Sequence, residues 1–366
     1  VTPRVLLLPL AVALLALPAL ADTLLLDNGR EVNCRIKSES YEKIEYQKPG
    51  VRSTQSVDTA EVVSVTYGST SPEYREADKL AAAGKMGEAA GFYLSASDDE
   101  DAEDHQRATA LMNACTALLA NNNFNEASQF LEELLKKYPK TRHLAPALLG
   151  RGTALLKTGK SQEADGVFQQ LKADAAEKNL GDRWGHEANF NLLWSAEAQK
   201  KPGVVDGYKQ LRSITRGDYP GIANKCALRL GRVHLDQDRV SDAERMFDEI
   251  IDSRLSTEDA IVAGAYNGRG RCNFGKGVGT LAAGDTERSI EFFQDALFDF
   301  LRVHVSYPGI RAEQAEALYF GGQSFINLAD LNAGVDDARN NGRVLLKRCK
   351  DGFQGTEWAT KAGREL

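Results

Sequence analysis

Hydrophobic and polar positions change rhythm twice along the chain. Residues 5–20 are an almost unbroken apolar run. Residues 22–68 then alternate at period two, the signature of strands with one buried face. Leu24 and Leu26 precede Asp27-Asn28-Gly29, Val32, Cys34 and Ile36 share one face, and Ile44 and Tyr46 form another short run. Pro49-Gly50 marks a second turn, followed by Val57 and by Val63, Val65 and Tyr67. Short strands joined by such turns cannot leave their edges open, so a small closed or nearly closed β-barrel is expected.

From residue 69 onward the apolar positions recur at about 3.6 residues, the helical period, and the pattern itself repeats. Gly84, Asn122, Gly159 and Asp238 each stand five residues before Ala89, Ala127, Ala164 and Ala243. A bulky residue (Tyr93, Leu131, Phe168 or Phe247) follows each Ala by four. The preceding helices carry Gly152, Gly231, Gly270 and Gly322 at one recurring phase. A mid-helix Gly costs about 1 kcal/mol against Ala, so its recurrence implies helices crossing at close range. Tyr138-Pro139, Tyr219-Pro220 and Tyr307-Pro308 punctuate the units, since Pro cannot continue the backbone ladder. Two units are less regular: 182–220, and 259–308 with Ala296 and Phe300, where roughly a dozen extra residues, Gly275 to Thr286, separate the two helices. A last unit spans 311–366.

A small residue in the first helix, Ala in the second, an aromatic four later and Pro at the end together resemble the tetratricopeptide repeat. The resemblance implies a mainly α fold: a solenoid of about seven helical pairs whose first helices line a concave protein-binding surface. The unit spacing is longer than the family's usual one and looks like that of bacterial envelope proteins. The alternating segment, through Asn28-Gly29-Arg30, Ile36, Ile44 and Glu61-Val62-Val63, resembles the small SH3-like or Sm-like barrels that head exported bacterial proteins. Its expected role is docking or oligomerisation, with a passive cap as the alternative.

Arg4, the apolar run and Ala19-Leu20-Ala21 have the three-part layout of a secretory signal peptide. The run is short of the ~20 residues a spanning helix needs, so no membrane span is expected after cleavage. The expected organisation is a signal peptide at 1–21, the β domain at 22–68 and the helical array at 69–366, in a periplasmic or secreted protein. The 366-residue chain is 42% apolar and 27% charged, with 45 Lys and Arg against 52 Asp and Glu. The resulting charge of −7 argues against nucleic acid as a partner.

Chemistry is scarce. Five Cys and five His are scattered without metal-ligand spacing, so neither a metal nor a disulfide framework is expected. Gly270 to Gly277 imitates a phosphate loop, but Gly277 stands where Ser or Thr must bind magnesium, and the segment follows a helix. The acidic run 97–104 lacks the mid-loop Gly and twelfth-position Glu of a calcium loop, and reads as a solvated turn. No catalytic set assembles and no cofactor is implied, so the protein reads as a non-enzymatic scaffold. A cell-wall or polysaccharide-associated role, resting on Trp184, Trp194 and Trp358, is the alternative.

One cluster is the candidate partner site. The phases flanking the recurring Gly carry Lys225 and Arg232, then Asn267 and Arg271, then Tyr319 and Gln323, with Arg229 between the first two. Lys225, Arg229 and Arg232 fall along one side of a helix and could grip a partner's carboxylates by charge-assisted bonds. The same cations could instead balance acids of the chain itself. On the first reading, Arg229→Glu with Arg232→Glu weakens partner binding without a loss of thermal stability.

Overall fold

In a computed structural model, which describes residues 21–253 and 258–366, the alternating segment folds as five antiparallel strands. These are β1 (Asp22–Leu26), β2 (Glu31–Glu39), β3 (Lys43–Gln47), β4 (Gln55–Asp58) and β5 (Val62–Thr66), in the order β4-β3-β2-β1-β5. The expected signal peptide at 1–21 lies, Ala21 apart, outside the described residues. Gly29 and Gly50 take φ of 78° and 75°, left-handed values that a side chain disfavours, where the sequence places its turns. Leu24, Leu26, Val32, Cys34, Ile36, Ile44 and Tyr46 fill the sheet's core. The simple alternation fails at Val63, which is 64% exposed. The β1–β5 register shifts between Leu25 and Leu26, so Val62 rather than Val63 sits opposite Leu26. A bulge moves one residue out of phase with the pleat.

Two compact units make up the chain, one ending at Asp182 and one running from Arg183 to Leu366. The sheet is grouped with the first six helices: α1 (Pro72–Ala82), α2 (Met86–Ser97), α3 (Asp104–Ala120), α4 (Phe124–Lys137), α5 (Leu144–Lys157) and α6 (Ser161–Glu177). A polar junction binds the sheet to them. Arg142 pairs with the Glu39 carboxylate, and the Tyr67 hydroxyl donates to Glu39 at 2.8 Å. That hydroxyl also lies 2.9 Å from Thr109 Oγ1, itself 2.9 Å from His143 Nε2. Tyr41 N donates to the Lys140 carbonyl at 3.0 Å.

The second unit holds α7 (Asp182–Ala198), α8 (Val204–Thr215), α9 (Pro220–Asp236), α10 (Val240–Ile251), α11 (Asp259–Ala282), α12 (Thr286–Ser306), α13 (Arg311–Asp330), α14 (Ala338–Gly352) and α15 (Glu357–Glu365). Among the described residues the helices pair successively from α1/α2 to α13/α14, with α7 meeting α8 through Phe190 and Tyr208, and α15 packs against α13 and α14. None is long and apolar enough to cross a membrane. The fold is a mainly α solenoid of paired helices preceded by a small sheet.

The repeated residues do what their spacing predicts. Gly84, Asn122, Gly159 and Asp238 all have positive φ and reverse the chain between the helices of a pair. Ala89, Ala127, Ala164 and Ala243 are fully buried. A Cβ on Gly231 would come within 2.5 Å of the Phe247 ring, and one on Gly270 within 2.8 Å of Phe300. Gly152 meets Phe168 in the same way, and Gly322 meets Leu346. Phe247 is caught from its other side by Gly268 of the next first helix. Burying such a ring contributes about 2–3 kcal/mol, which offsets the ~1 kcal/mol that each helical Gly costs. Cys115 packs beside Leu131 at the small-residue position, and all five Cys are buried and free.

The expectation of extra residues between the helices of the 259–308 unit is corrected. Gly275 to Ala282 continue α11, and the reversal falls at Gly284. The longer helices simply repeat the contact: Gly277 meets Phe293 as Gly270 meets Phe300. Seven residues apart on both helices, these are successive rungs of one antiparallel crossing.

Gly231→Ala is expected to destabilise the second unit by about 1–3 kcal/mol through overpacking against Phe247. Gly166→Ala, at an exposed helical position with open space around the new methyl, is expected to stabilise by up to about 1 kcal/mol. Denaturant melts of the two variants check the opposite signs.

Burial, and then the neighbouring Arg142, hold the His143 pKa well below its ordinary 6.5, so the ring is neutral in the fold. The unfolded chain takes up that proton first, so the stability His143 contributes is complete above pH 6.5 and is lost as the pH falls below it. Stability should therefore decline between pH 6.5 and about 5.5 with a slope of up to ~1.4 kcal/mol per unit from this group. His143→Gln should remove that part of the slope in melts across this range. His234, whose pKa burial also lowers, adds a slope of the same sign.

Candidate functional site

First helices lie side by side in the second unit, α9 on α11, α11 on α13 and α13 on α15. This contact gathers the predicted residues onto neighbouring helices, and it also supplies their partners. Lys225 meets Glu187 of α7 at 3.0 Å and Glu258, just before α11, at 3.2 Å. Arg229 binds Glu197 of α7, with Nε at 2.9 Å from Oε2, and its guanidinium stands 5.7 Å from the centre of the Trp194 ring. Glu197 also accepts from the buried Tyr208 hydroxyl at 2.8 Å, which ties Arg229 to the core of the α7/α8 pair.

Arg232 reaches further. It crosses α11 and closes on both carboxylate oxygens of Glu313 in α13, at 2.8 and 3.0 Å. The crossing depends on Gly264, because a Cβ there would sit 3.2 Å from the Arg232 guanidinium and 3.0 Å from Leu228. Asn267 Nδ2 completes the clasp, donating to the Glu313 backbone carbonyl at 2.9 Å and to its carboxylate at 3.0 Å. Arg271 approaches Glu316 at 3.5 Å and Asp236 at 3.8 Å, and stands 5.8 Å from the centre of the Phe320 ring. Tyr319 stacks on Trp358 of α15 at 5.5 Å. Among the described residues Asn267 Oδ1 and Gln323 Nε2 are buried without a hydrogen-bond partner.

Electrostatics follow from this pairing. Burial opposes the charge on Arg232, but Glu313 and Glu316 outweigh it and raise its pKa. Burial would also discharge Lys225, and Glu187 and Glu258 raise its pKa instead. Burial pushes the Glu316 carboxyl up; Arg232 and Arg271 pull it down and Glu313 adds to the rise. The four cations are therefore neutralised by acids of their own chain. The partners that sequence reasoning missed are Glu187, Glu197, Glu313 and Glu316. Glu313 and Glu316, three apart in the first turns of α13, were the visible signal, but the two-repeat reach of Arg232 has no local sequence mark.

That geometry corrects one expectation. Arg232→Glu would set a third carboxylate beside Glu313 and Glu316, so the charge reversal proposed from sequence should cost stability. No group of three or more His, Cys, Asp or Glu among the described residues could hold a metal ion.

Comparison with known proteins fits the paired-helix architecture. A tetratricopeptide repeat model matches residues 106–141, which take in most of α3, all of α4 and the junction after it. No curated protein matches the chain by sequence. Among solved structures, a tetratricopeptide repeat protein from Parabacteroides merdae is 14% identical, with a TM-score of 0.46, over 80% of this chain and 96% of its own. The quorum sensor NprR from B. thuringiensis is 12% identical, with a TM-score of 0.46, over 79% of each chain. RapI is 13% identical, with a TM-score of 0.43, over 80% of this chain and 84% of its own. The paired helices, with the repeat match at residues 106–141, make the fold a tetratricopeptide-like helical array.

Arg232→Ala and Glu313→Ala are each expected to destabilise the protein by about 2–3 kcal/mol, since each leaves a largely buried charge unpaired. The double variant should lose less than the sum by at least ~1 kcal/mol. Additive losses in a double-mutant cycle would show that the clasp does not join α9 to α13 energetically.

Proposed function

We propose that the chain is an exported, non-enzymatic scaffold of the cell envelope, periplasmic or secreted, that holds a protein or peptide partner on the first-helix face of its second unit. Lys225, Arg229, Arg232, Asn267, Arg271, Tyr319 and Gln323 are its proposed contact residues. The observation that carries this reading is the row of first helices, α9 on α11, α11 on α13 and α13 on α15, which gathers these side chains onto neighbouring helices. Arg271, Tyr319 and Gln323 are only partly buried there and leave a surface that a polypeptide can reach. Because the cations are already paired, they contribute by positioning Glu313, Glu316 and the amides rather than as bare charges.

Export is supported by the layout of residues 1–21, and the protein-binding role by the repeat pattern. The five-stranded sheet, in the order β4-β3-β2-β1-β5 with a 3₁₀ turn at Thr59–Glu61 between β4 and β5, suits an SH3-like or Sm-like barrel serving as a docking module. The polysaccharide reading is less favoured, because Trp358 stacks on Tyr319 and Trp194 lies beneath Arg229.

Photo-crosslinking side chains placed at Arg271 and Gln323 in cells should capture one discrete polypeptide, identified by mass spectrometry. The same group at Arg245, on the exposed face of α10, should not. Equal capture from all three positions, or none from the first two, would remove this face as the partner site.

A further inference from the structure

Outside the proposed site, a run of unbalanced positive charge lies on α14. Its sequence ARNNGRVLLKRCKDG carries Arg339, Arg343, Lys347, Arg348 and Lys350 against a single acid, Asp351, in a chain of net charge −7. Arg339, Arg343, Lys347 and Lys350 follow one another at four, four and three residues, so they form one stripe about 16 Å long. All are exposed, while Leu345, Leu346 and Cys349 on the opposite side are buried. Arg339 pairs with Asp330. Among the described residues, Arg343, Lys347, Arg348 and Lys350 form no ion pair, unlike the cations of the first-helix face.

The same chain carries the complementary surface. The turn between α2 and α3 reads Asp98-Asp99-Glu100-Asp101-Ala102-Glu103-Asp104. Asp104 pairs with Arg107, and Glu103 lies 3.8 Å from Arg35. Among the described residues Asp98, Asp99, Glu100 and Asp101 form no ion pair, and the first, third and fourth are exposed. Four unmatched acids and four unmatched cations are thus displayed on separate elements of one polypeptide.

We propose that the basic face of α14 docks the acidic 98–104 turn of a second copy of this chain. The two surfaces differ, so each contact pairs unlike faces, made either reciprocally in a closed pair or one after another in rings or open strings. Exposed charges draw the copies together and set the pairing more than they tighten it, so the association is weak and salt-sensitive. It is independent of the partner reading above, because neither surface belongs to the first-helix face.

Sedimentation velocity of the full chain at concentrations up to about 100 µM, in about 50 mM NaCl, should show mass rising with concentration, and about 500 mM NaCl should weaken the association at least tenfold. Arg343→Glu with Lys347→Glu and Lys350→Glu should leave a monomer, as should Asp98→Lys with Asp99→Lys and Asp101→Lys. Mixing the two variants should restore association, because each offers the surface the other needs. Alanine versions of both sets guard against a reversal that disturbs folding, and circular dichroism checks each. A wild-type chain that stays monomeric throughout, an association that survives both reversals, or a failure of mixing to restore it would each overturn the proposal.

Discussion

A ring seated where another helix has no side chain is the contact on which the array depends. Phe168 against Gly152, Phe247 against Gly231 and Phe300 against Gly270 set the distance between paired helices at the thickness of an aromatic ring. Phe247 extends the principle from within a pair to the next one, because Gly268 of α11 gives way to the same ring. Nearest-neighbour packing of this kind makes stability close to a sum over adjacent pairs. It also explains how α11 and α12 lengthen without leaving the pattern. A helix pair can grow by adding one more glycine and one more phenylalanine, as Gly277 and Phe293 do.

Ion pairs decide what the first-helix face offers once that spacing is fixed. Charges this far from water are costly alone and settle only when matched. Arg232 meets its match two repeats away, so the guanidinium and Glu313 join helices that the ring contacts do not pair. The face is left with amides, aromatic rings and charges balanced within the chain. Charge complementarity of the long-range kind is found elsewhere, on α14.

Local rules were legible in the chain and distant ones were not. The reversal at Gly84, Asn122, Gly159 and Asp238, the buried Ala five residues on, and the close-contact Gly all follow from a period that any single pair satisfies by itself. The extra length after Gly275 is visible in the sequence but reads as a loop, because Gly275, Gly277 and Gly279 suggest a turn until the packing of Gly277 against Phe293 is known. Alternation alone places Val63 inward, because a period of two does not foresee the bulge in the β1–β5 ladder. For the candidate site, the residues could be listed from their phase, but the acids that occupy them sit from about 30 to 80 positions away in sequence, beyond what a repeat pattern encodes.

The cysteines carry a consequence for where such a chain can work. Burial pushes the thiols of Cys115, Cys226 and Cys272 up to about 12, and those of Cys34 and Cys349 to about 11. A thiol that stays protonated is a poor nucleophile and is slow to oxidise. With all five kept apart from solvent and from each other, the folded chain has no covalent crosslink to gain or lose. It can pass between reducing and oxidising surroundings without a change of shape, and its sulfur chemistry begins only when the helices part.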